Sequence, residues 1–408
     1  MLARILAAVG VASALAAMPS QARAAPPPQL DARSAALIDA SSGQVLYGNE
    51  ASTGLLIASA TKLMTALLTL EQAPLGAMFT EPPFHFASTD SQIGLAPGER
   101  MSAHDLLVAL LLPSADDAAE DLAYNLGHGS VAGFVSNMNT RARELGLAHT
   151  HYSTPIGLDT AGNYSSASDL VQLARFLLRT QPFFKRVVGM RTAVLRTGDH
   201  VRVVSNRNNL VGRVPWVTGV KTGHTLDAGY VLVGSGTSAG ISLISAVLGA
   251  PSESARDEST LALLRYGFAN YRLVTPVVGG TVLARPAVRY RSGVHADAIA
   301  ASTFQRVLPR TLPMSTRVRA PREVSGPRRA GAPVGSVVVL AGGKPISTIP
   351  LVLAHAVPAV SPLTVAAHYL TRPVTLLVLM LLVATIFGLA TVRRKRITAS
   401  RTAPSSPA

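Results

Sequence analysis

The chain has 408 residues, 48% hydrophobic and 14% charged, with mean hydropathy +0.32, a length that suggests two or three domains. It contains no cysteine, which excludes disulfides and thiolate metal sites. The net charge of +15 favours anionic partners, but with 10 Phe, 9 Tyr and 1 Trp and no basic stretch interleaved with aromatics, nucleic acid is not among them.

The first 25 residues read as a secretory signal peptide: Arg4 is the positive start, residues 5–17 are apolar, and Ala22-Arg23-Ala24 is a small-x-small cleavage site. Near the other end, Val374 to Val392 is an uncharged run of 19 residues, enough to cross a ~30 Å hydrocarbon core. Arg393-Arg394-Lys395-Arg396 follows at once and assigns residues 393–408 to the cytoplasmic side. The expectation is a single-pass protein in the cell membrane whose catalytic part lies outside the cytoplasm. Arg4, Arg23 and five tail cations account for seven charges, leaving +8 on the exported part.

Between these ends the elements run as follows. Ser34 to Gly48 is a hairpin turning at Ser41-Ser42-Gly43. Residues 57–68 carry a helical pattern with Ser59 near its start. Residues 102–180 are mostly helical: Ser102 caps a helix through Leu112, Pro113 breaks it, and Ala118 to Leu126 resumes. Ser130 caps another to Leu145, and Ser166 to Leu178 is the last. Strands return at Val214 to Thr222, Gly229 to Gly234 and Ile241 to Leu248, and a helix over Ser259 to Phe268 closes the domain. This order predicts a mixed α/β domain over 26–273, an antiparallel sheet faced by helices. Val277 to Leu283, Val334 to Leu340 and Ile346 to Leu353 then read as short strands of a small all-β domain over 274–356, a stalk above the membrane. Residues 357–373 are a connector to the anchor at 374–392.

Lysine is scarce, five against 32 Arg, so a lysine is of interest where a titratable amine matters, because arginine does not deprotonate. In Ser59-Ala60-Thr61-Lys62 the helical spacing i, i+3 puts the amine within reach of the hydroxyl, a base beside a nucleophile. A helix N-terminus at Ser59 would also favour an oxyanion. In Lys221-Thr222-Gly223, on a predicted strand, Lys221 and Thr222 suit a carboxylate and Gly223 lets a ligand approach the backbone. Ser114-Ala115-Asp116 lies between these two motifs, at a helix junction.

The ordered set resembles the penicillin-recognising serine enzymes. It is more closely similar to the low-molecular-mass D-alanyl-D-alanine carboxypeptidases, serine peptidase family S11. Further family-like text is Gly94-Leu95-Ala96-Pro97-Gly98-Glu99, Leu111-Leu112-Pro113-Ser114, Gly157-Leu158-Asp159, Asn206-Arg207-Asn208 and Leu248-Gly249-Ala250. The resemblance covers residues 30–270 well and implies a β-lactamase/transpeptidase-like fold that trims the terminal D-alanine of peptidoglycan stem peptides and is acylated by β-lactams. It implies Ser59 as nucleophile, Lys62 as base, Ser114 as proton shuttle, and the backbone N–H groups of Ser59 and His224 as oxyanion hole. Asp116, Lys221, Thr222, Gly223, Arg207 and Arg256 are implied to bind substrate, with no metal and no cofactor. One departure stands out: the family's Ser-x-Asn is Ser114-Ala115-Asp116 here. A carboxylate beside Lys62 is expected to raise the lysine's pKa and weaken it as a base. A D,D-endopeptidase, a β-lactamase-like enzyme and a non-turnover wall-binding protein remain open at this level.

Overall fold

A computed structural model describes residues 25–84, 91–370 and 372–401, with the side chains of 395–401 left aside. The signal-peptide reading falls, but for Ala25, outside the described residues. The chain divides into two compact units, one reaching to Val274 and including Arg306–Thr311, the other comprising 275–305 and the chain from Leu312 onward.

In the first unit the elements are β1 (Ser34–Asp39), β2 (Val45–Asn49), a 3₁₀ turn over Ala58–Thr61, α1 (Lys62–Gln72), β3 (Met78–Thr80), β4 (Arg100–Ser102), α2 (Ala103–Leu111), α3 (Asp116–Leu126) and α4 (Val131–Glu144). After these come α5 (Ala167–Thr180), α6 (Pro182–Val187), β5 (Thr192–Leu195), β6 (Arg202–Ser205), β7 (Val217–Thr225), β8 (Gly229–Ser238), β9 (Ile241–Ala250) and α7 (Glu253–Asn270). The expected caps are present: Ser102, Ser130 and Ser166 accept the N–H of Asp105, Gly133 and Asp169 at 3.2, 3.1 and 3.2 Å. Ser252 does the same for Ala255 at 3.1 Å, so α7 begins six residues before the predicted Ser259.

The main sheet has the order β2-β1-β9-β8-β7, antiparallel throughout. Every residue of β1 is buried because the sheet is covered on both sides. Ala36 and Ile38 join the large core formed with α1, α2, α3 and α5. Ala35 and Leu37, pointing the other way, pack with Leu263 and Leu264 of α7.

The second unit takes in the end of β10 (Tyr271–Val277), β11 (Val282–Ala284), β12 (Ala287–Val288), β13 (Ala298–Ala300), the start of β14 (Phe304–Pro309), β15 (Met314–Arg319), β16 (Glu323–Val324), β17 (Pro333–Ala341) and β18 (Lys344–Leu353). Its five-stranded sheet runs β11-β13-β18-β17-β15. The predicted strand Val277 to Leu283 is split, because Gly279-Gly280 turns the chain with Gly280 at φ +81°. The expected connector contains a helix, α8 (Pro362–Leu370), followed by α9 (Pro373–Arg401). Residues 373–394 of α9 are long and apolar enough to cross a membrane.

Candidate active site

The sequence pattern expects Ser59 inside an α-helix, but it lies in the 3₁₀ turn, with Lys62 as the first residue of α1. In a 3₁₀ turn residues i and i+3 eclipse, which aligns the two side chains more closely than an α-turn would. Lys62 Nζ stands 2.9 Å from Ser59 Oγ. Ala58, just before the serine, and Ser114 adopt left-handed backbone at φ +47° and +68°. Such conformations cost on the order of 1–3 kcal/mol outside glycine and gather at functional sites.

Lys62 is wholly buried, and its other contacts are Asp116 Oδ1 at 2.5 Å and the Ile156 carbonyl at 2.8 Å. An ammonium has three donors, and all three are taken. A neutral amine would keep two N–H bonds on Asp116 and Ile156 and aim its lone pair at Ser59. Burial pushes the Lys62 pKa down, Asp116 pushes it back, and Arg207 adds to the lowering. The net direction is downward, so the expected rise caused by Asp116 is outweighed by desolvation.

Asp116 is tied at its other oxygen as well: Oδ2 accepts the Ser91 N–H at 3.0 Å, and the Asp116 N–H returns to the Ser91 carbonyl. Asp117 Oδ2 takes the N–H groups of Ile93, Gly94 and Leu95 at 3.0, 2.9 and 3.1 Å. Buried Arg202 holds the carbonyls of Ile93 and Gly94, both at 3.0 Å, and pairs with Glu99. The Gly94–Glu99 text is thus a strapped loop delivering Ser91 to Asp116. Glu120, four residues past Asp116 on α3, is pushed up to about 7 by burial and by the Asp116 charge.

On β7, Lys221 is buried and its amine donates to the Thr222 carbonyl at 2.9 Å. Burial first, then the charges of Lys62 and Arg207, push its pKa well down. An incoming carboxylate would push it back up, so anion binding there is coupled to proton uptake. Gly223 has a purpose the sequence left unread: a Cβ on it would sit 2.9 Å from the Ile57 carbonyl and 3.0 Å from the Ser59 nitrogen. Its bareness lets β7 run against the turn that carries Ser59, which brings the His224 backbone alongside. The His224 ring is exposed and stacks on Tyr230 at 4.0 Å.

Ser114 Oγ is buried and has no hydrogen-bond partner among the described residues. The two arginines differ. Arg207 is exposed, its backbone N–H held by the Leu112 carbonyl, and its charge is felt by both Lys62 and Lys221. Arg256 is buried and its guanidinium is bound to Asp257 at 2.8 Å and Glu253 at 3.0 Å. Ile156, Ser91 and Asp117 escaped the sequence reading. The first two act through backbone atoms, and Asp117 is told from Asp116 only by its loop contacts.

A buried lysine on a serine in a strained turn, beside a Lys-Thr-Gly strand, defines a serine acyl-enzyme fold of the penicillin-binding class. Residues 20–252 match the family model Peptidase_S11, D-alanyl-D-alanine carboxypeptidase. The chain is 32% identical over 352 residues to D-alanyl-D-alanine carboxypeptidase DacA of Escherichia coli, covering 81% of this chain and 85% of that one. With DacF of Bacillus subtilis the identity is 35%, over 59% of this chain and 63% of the relative. Among solved structures, penicillin-binding protein 5 of Haemophilus influenzae superposes with a TM-score of 0.63 at 27% identity, covering 82% of this chain and 99% of that one. The Streptomyces K15 DD-transpeptidase gives 0.57 at 32%, covering 60% of this chain and all of the other. The chain belongs to peptidase family S11, the D-alanyl-D-alanine carboxypeptidases.

Proposed function

We propose that the protein is a serine-type D-Ala-D-Ala carboxypeptidase that removes the terminal D-alanine of peptidoglycan stem peptides through an acyl-enzyme on Ser59. The observation that carries this is the hold on Lys62: two acceptors, Asp116 and Ile156, fix its amine so that its remaining position faces Ser59 Oγ. Neutral Lys62 takes the Ser59 proton as Oγ attacks the carbonyl carbon of the scissile bond. The negative oxygen of the tetrahedral intermediate accepts from the backbone N–H groups of Ser59 and His224. The proton passes through Ser114 to the leaving nitrogen and D-alanine departs. Water, losing its proton to Lys62, then cleaves the ester and restores Ser59. Lys221, Thr222 and Arg207 hold the terminal carboxylate.

A β-lactam enters the same route, but its leaving nitrogen stays tethered. The intact mass of the protein after incubation with a penicillin, beside Ser59→Ala, tests the assignment. A stable adduct is expected on the first and none on the second. An adduct that persists in the variant would overturn Ser59 as the nucleophile. No adduct with the drug intact would favour a non-turnover protein.

For location, we infer a single-pass anchor at α9 with the enzyme outside the cytoplasm. Support comes from the apolar span of 373–394 and the five basic residues between 393 and 401, set against Arg372 alone in the twenty residues before the span.

A further inference from the structure

The charge of this protein is segregated along its chain. Residues 26–274, which hold the catalytic site, carry 18 basic and 20 acidic side chains; residues 275–372 carry 12 basic and 2 acidic. The catalytic part is close to neutral and the β-rich part is strongly cationic.

Several of those cations gather where the second unit meets the helix that precedes the membrane span. The short parallel pair β12–β16 is bounded by Arg289 and Arg322, and Arg289 N–H donates to the Val324 carbonyl at 2.9 Å. Arg328 exchanges backbone hydrogen bonds with Val357, both 2.8 Å, and Arg291 reaches the Ala359 carbonyl at 3.5 Å. These contacts fix the β12–β16 pair to the chain entering α8. Tyr290, in left-handed backbone at φ +63°, meets His368 and Tyr369 of α8 at ring distances of 5.4 and 6.1 Å. Arg289 lies over the Tyr290 ring at 5.0 Å and Arg372 over the Tyr369 ring at 5.2 Å. Against Arg289, Arg291, Arg322, Arg328, Arg329 and Arg372 stand two carboxylates among the described residues: Glu323, 3.8 Å from Arg289, and Asp297, which lines a pocket with Arg291 and is paired with Arg285 at 3.0 Å.

No residue of α8 is fully buried, and its leucines are open: Leu363 is 83% exposed and Leu370 52%. A helix with bare leucines and a tyrosine, joined to an apolar span and ringed by arginines, has the make-up of a segment lying at a lipid surface, aromatic bodies at headgroup level and cations toward phosphate. A purely cationic surface would suit any polyanion; the bare apolar side chains of α8, continuous with the span, single out the bilayer.

We propose that the Arg–Tyr collar formed by Arg289–Arg291, Arg328–Arg329 and α8 binds the headgroups of anionic phospholipids in the leaflet that α9 enters. The β-rich unit is then held down on the membrane rather than acting as a free stalk. The choice of leaflet rests on α9 being the anchor.

The test uses the full chain in vesicles of phosphatidylcholine, with or without phosphatidylglycerol, and reads backbone hydrogen exchange over 285–295 and 322–330. Protection on the order of tenfold or more is expected only with phosphatidylglycerol, reduced by high salt and lost in the triple variant Arg289→Gln, Arg291→Gln, Arg329→Gln. Unchanged hydrogen exchange of that variant over β17 and β18, in the same unit, verifies its fold. Equal protection in both lipids overturns the proposal, as does protection in phosphatidylcholine supplied only by an added soluble polyanion. Alkaline extraction separates the two readings. If the chain leaves both vesicle types, the anchor at α9 fails; co-sedimentation of the released chain with phosphatidylglycerol vesicles alone would still uphold the collar, and its absence would overturn that too.

Discussion

Lys62 Nζ and Asp116 Oδ1 stand 2.5 Å apart, in the position where the family's Ser-x-Asn ordinarily supplies an asparagine. The carboxylate does two opposite things. As an acceptor it orients the amine; as a charge it stabilises the protonated form that is no base. Asp116→Asn keeps an acceptor and removes the charge, so the Lys62 pKa, already lowered by burial, should fall further. The acidic limb of the pH profile for acylation by a penicillin should move to lower pH. A limb displaced by one pH unit would make acylation about tenfold faster at pH values below it. A profile that stays in place, with no gain in peptide turnover, would mean Asp116 is not a handicap.

How much of this was written in the sequence depends on range. Ser59 and Lys62 are three residues apart, so their contact follows from local geometry, although the 3₁₀ turn does not. The pairing of β1 with β9 joins residues about two hundred apart, Ser34 with Leu248, and no local pattern encodes it. Arg256 illustrates a subtler gap. The motif lineup assigns it to substrate, but only the placement of Glu253 and Asp257 in space reveals that its guanidinium is already engaged.

That difference separates the two arginines by experiment. Arg207→Ala removes an exposed cation and should raise KM for carboxylate-ended peptides about tenfold with little loss of thermal stability. Arg256→Leu leaves the buried Asp257 carboxylate only the longer 3.4 Å contact of Arg213 and should cost up to about 3–5 kcal/mol of stability. Steady-state kinetics beside thermal melting of both variants distinguishes them. An unchanged melt for the second variant would place Arg256 with the substrate instead.

Stability should fall as the pH rises from about 4 to about 9. Buried Glu81 is pushed up to about 9 and buried Asp121 to about 7, both chiefly by desolvation, and the two carboxyls share a side-chain hydrogen bond. The unfolded chain gives up these protons near pH 4, whereas the folded chain keeps them, so the folded state binds more protons from there to about pH 9. Each such proton lowers stability by about 1.4 kcal/mol per pH unit across its window. Glu81→Gln should flatten the decline of the melting temperature between about pH 4 and pH 9, the window over which folded Glu81 keeps a proton that the unfolded chain has lost. An identical slope in the variant would show that this carboxyl does not set it.

The last prediction concerns a residue with no side chain. Gly223 needs no unusual backbone angle; what it needs is room. An alanine methyl there would lie 2.9 Å from the Ile57 carbonyl, 3.0 Å from the Ser59 nitrogen and 3.1 Å from Ala58 Cβ, all parts of a turn that is strained at Ala58. Backbone atoms cannot swing aside as a flexible side chain can, so the turn and β7 must separate by a few tenths of an ångström. The Ser59 N–H, the proposed donor to the oxyanion, moves with the turn, while the Lys221 and Thr222 side chains remain on the strand. Loss of one such donor costs about 10²–10³ in kcat. Gly223→Ala should therefore lower kcat on that scale while KM changes little. Retained kcat would mean that the close approach of β7 does not hold Ser59 in place, and a rise in KM alone would return Gly223 to the ligand-clearance role that the sequence first proposed for it.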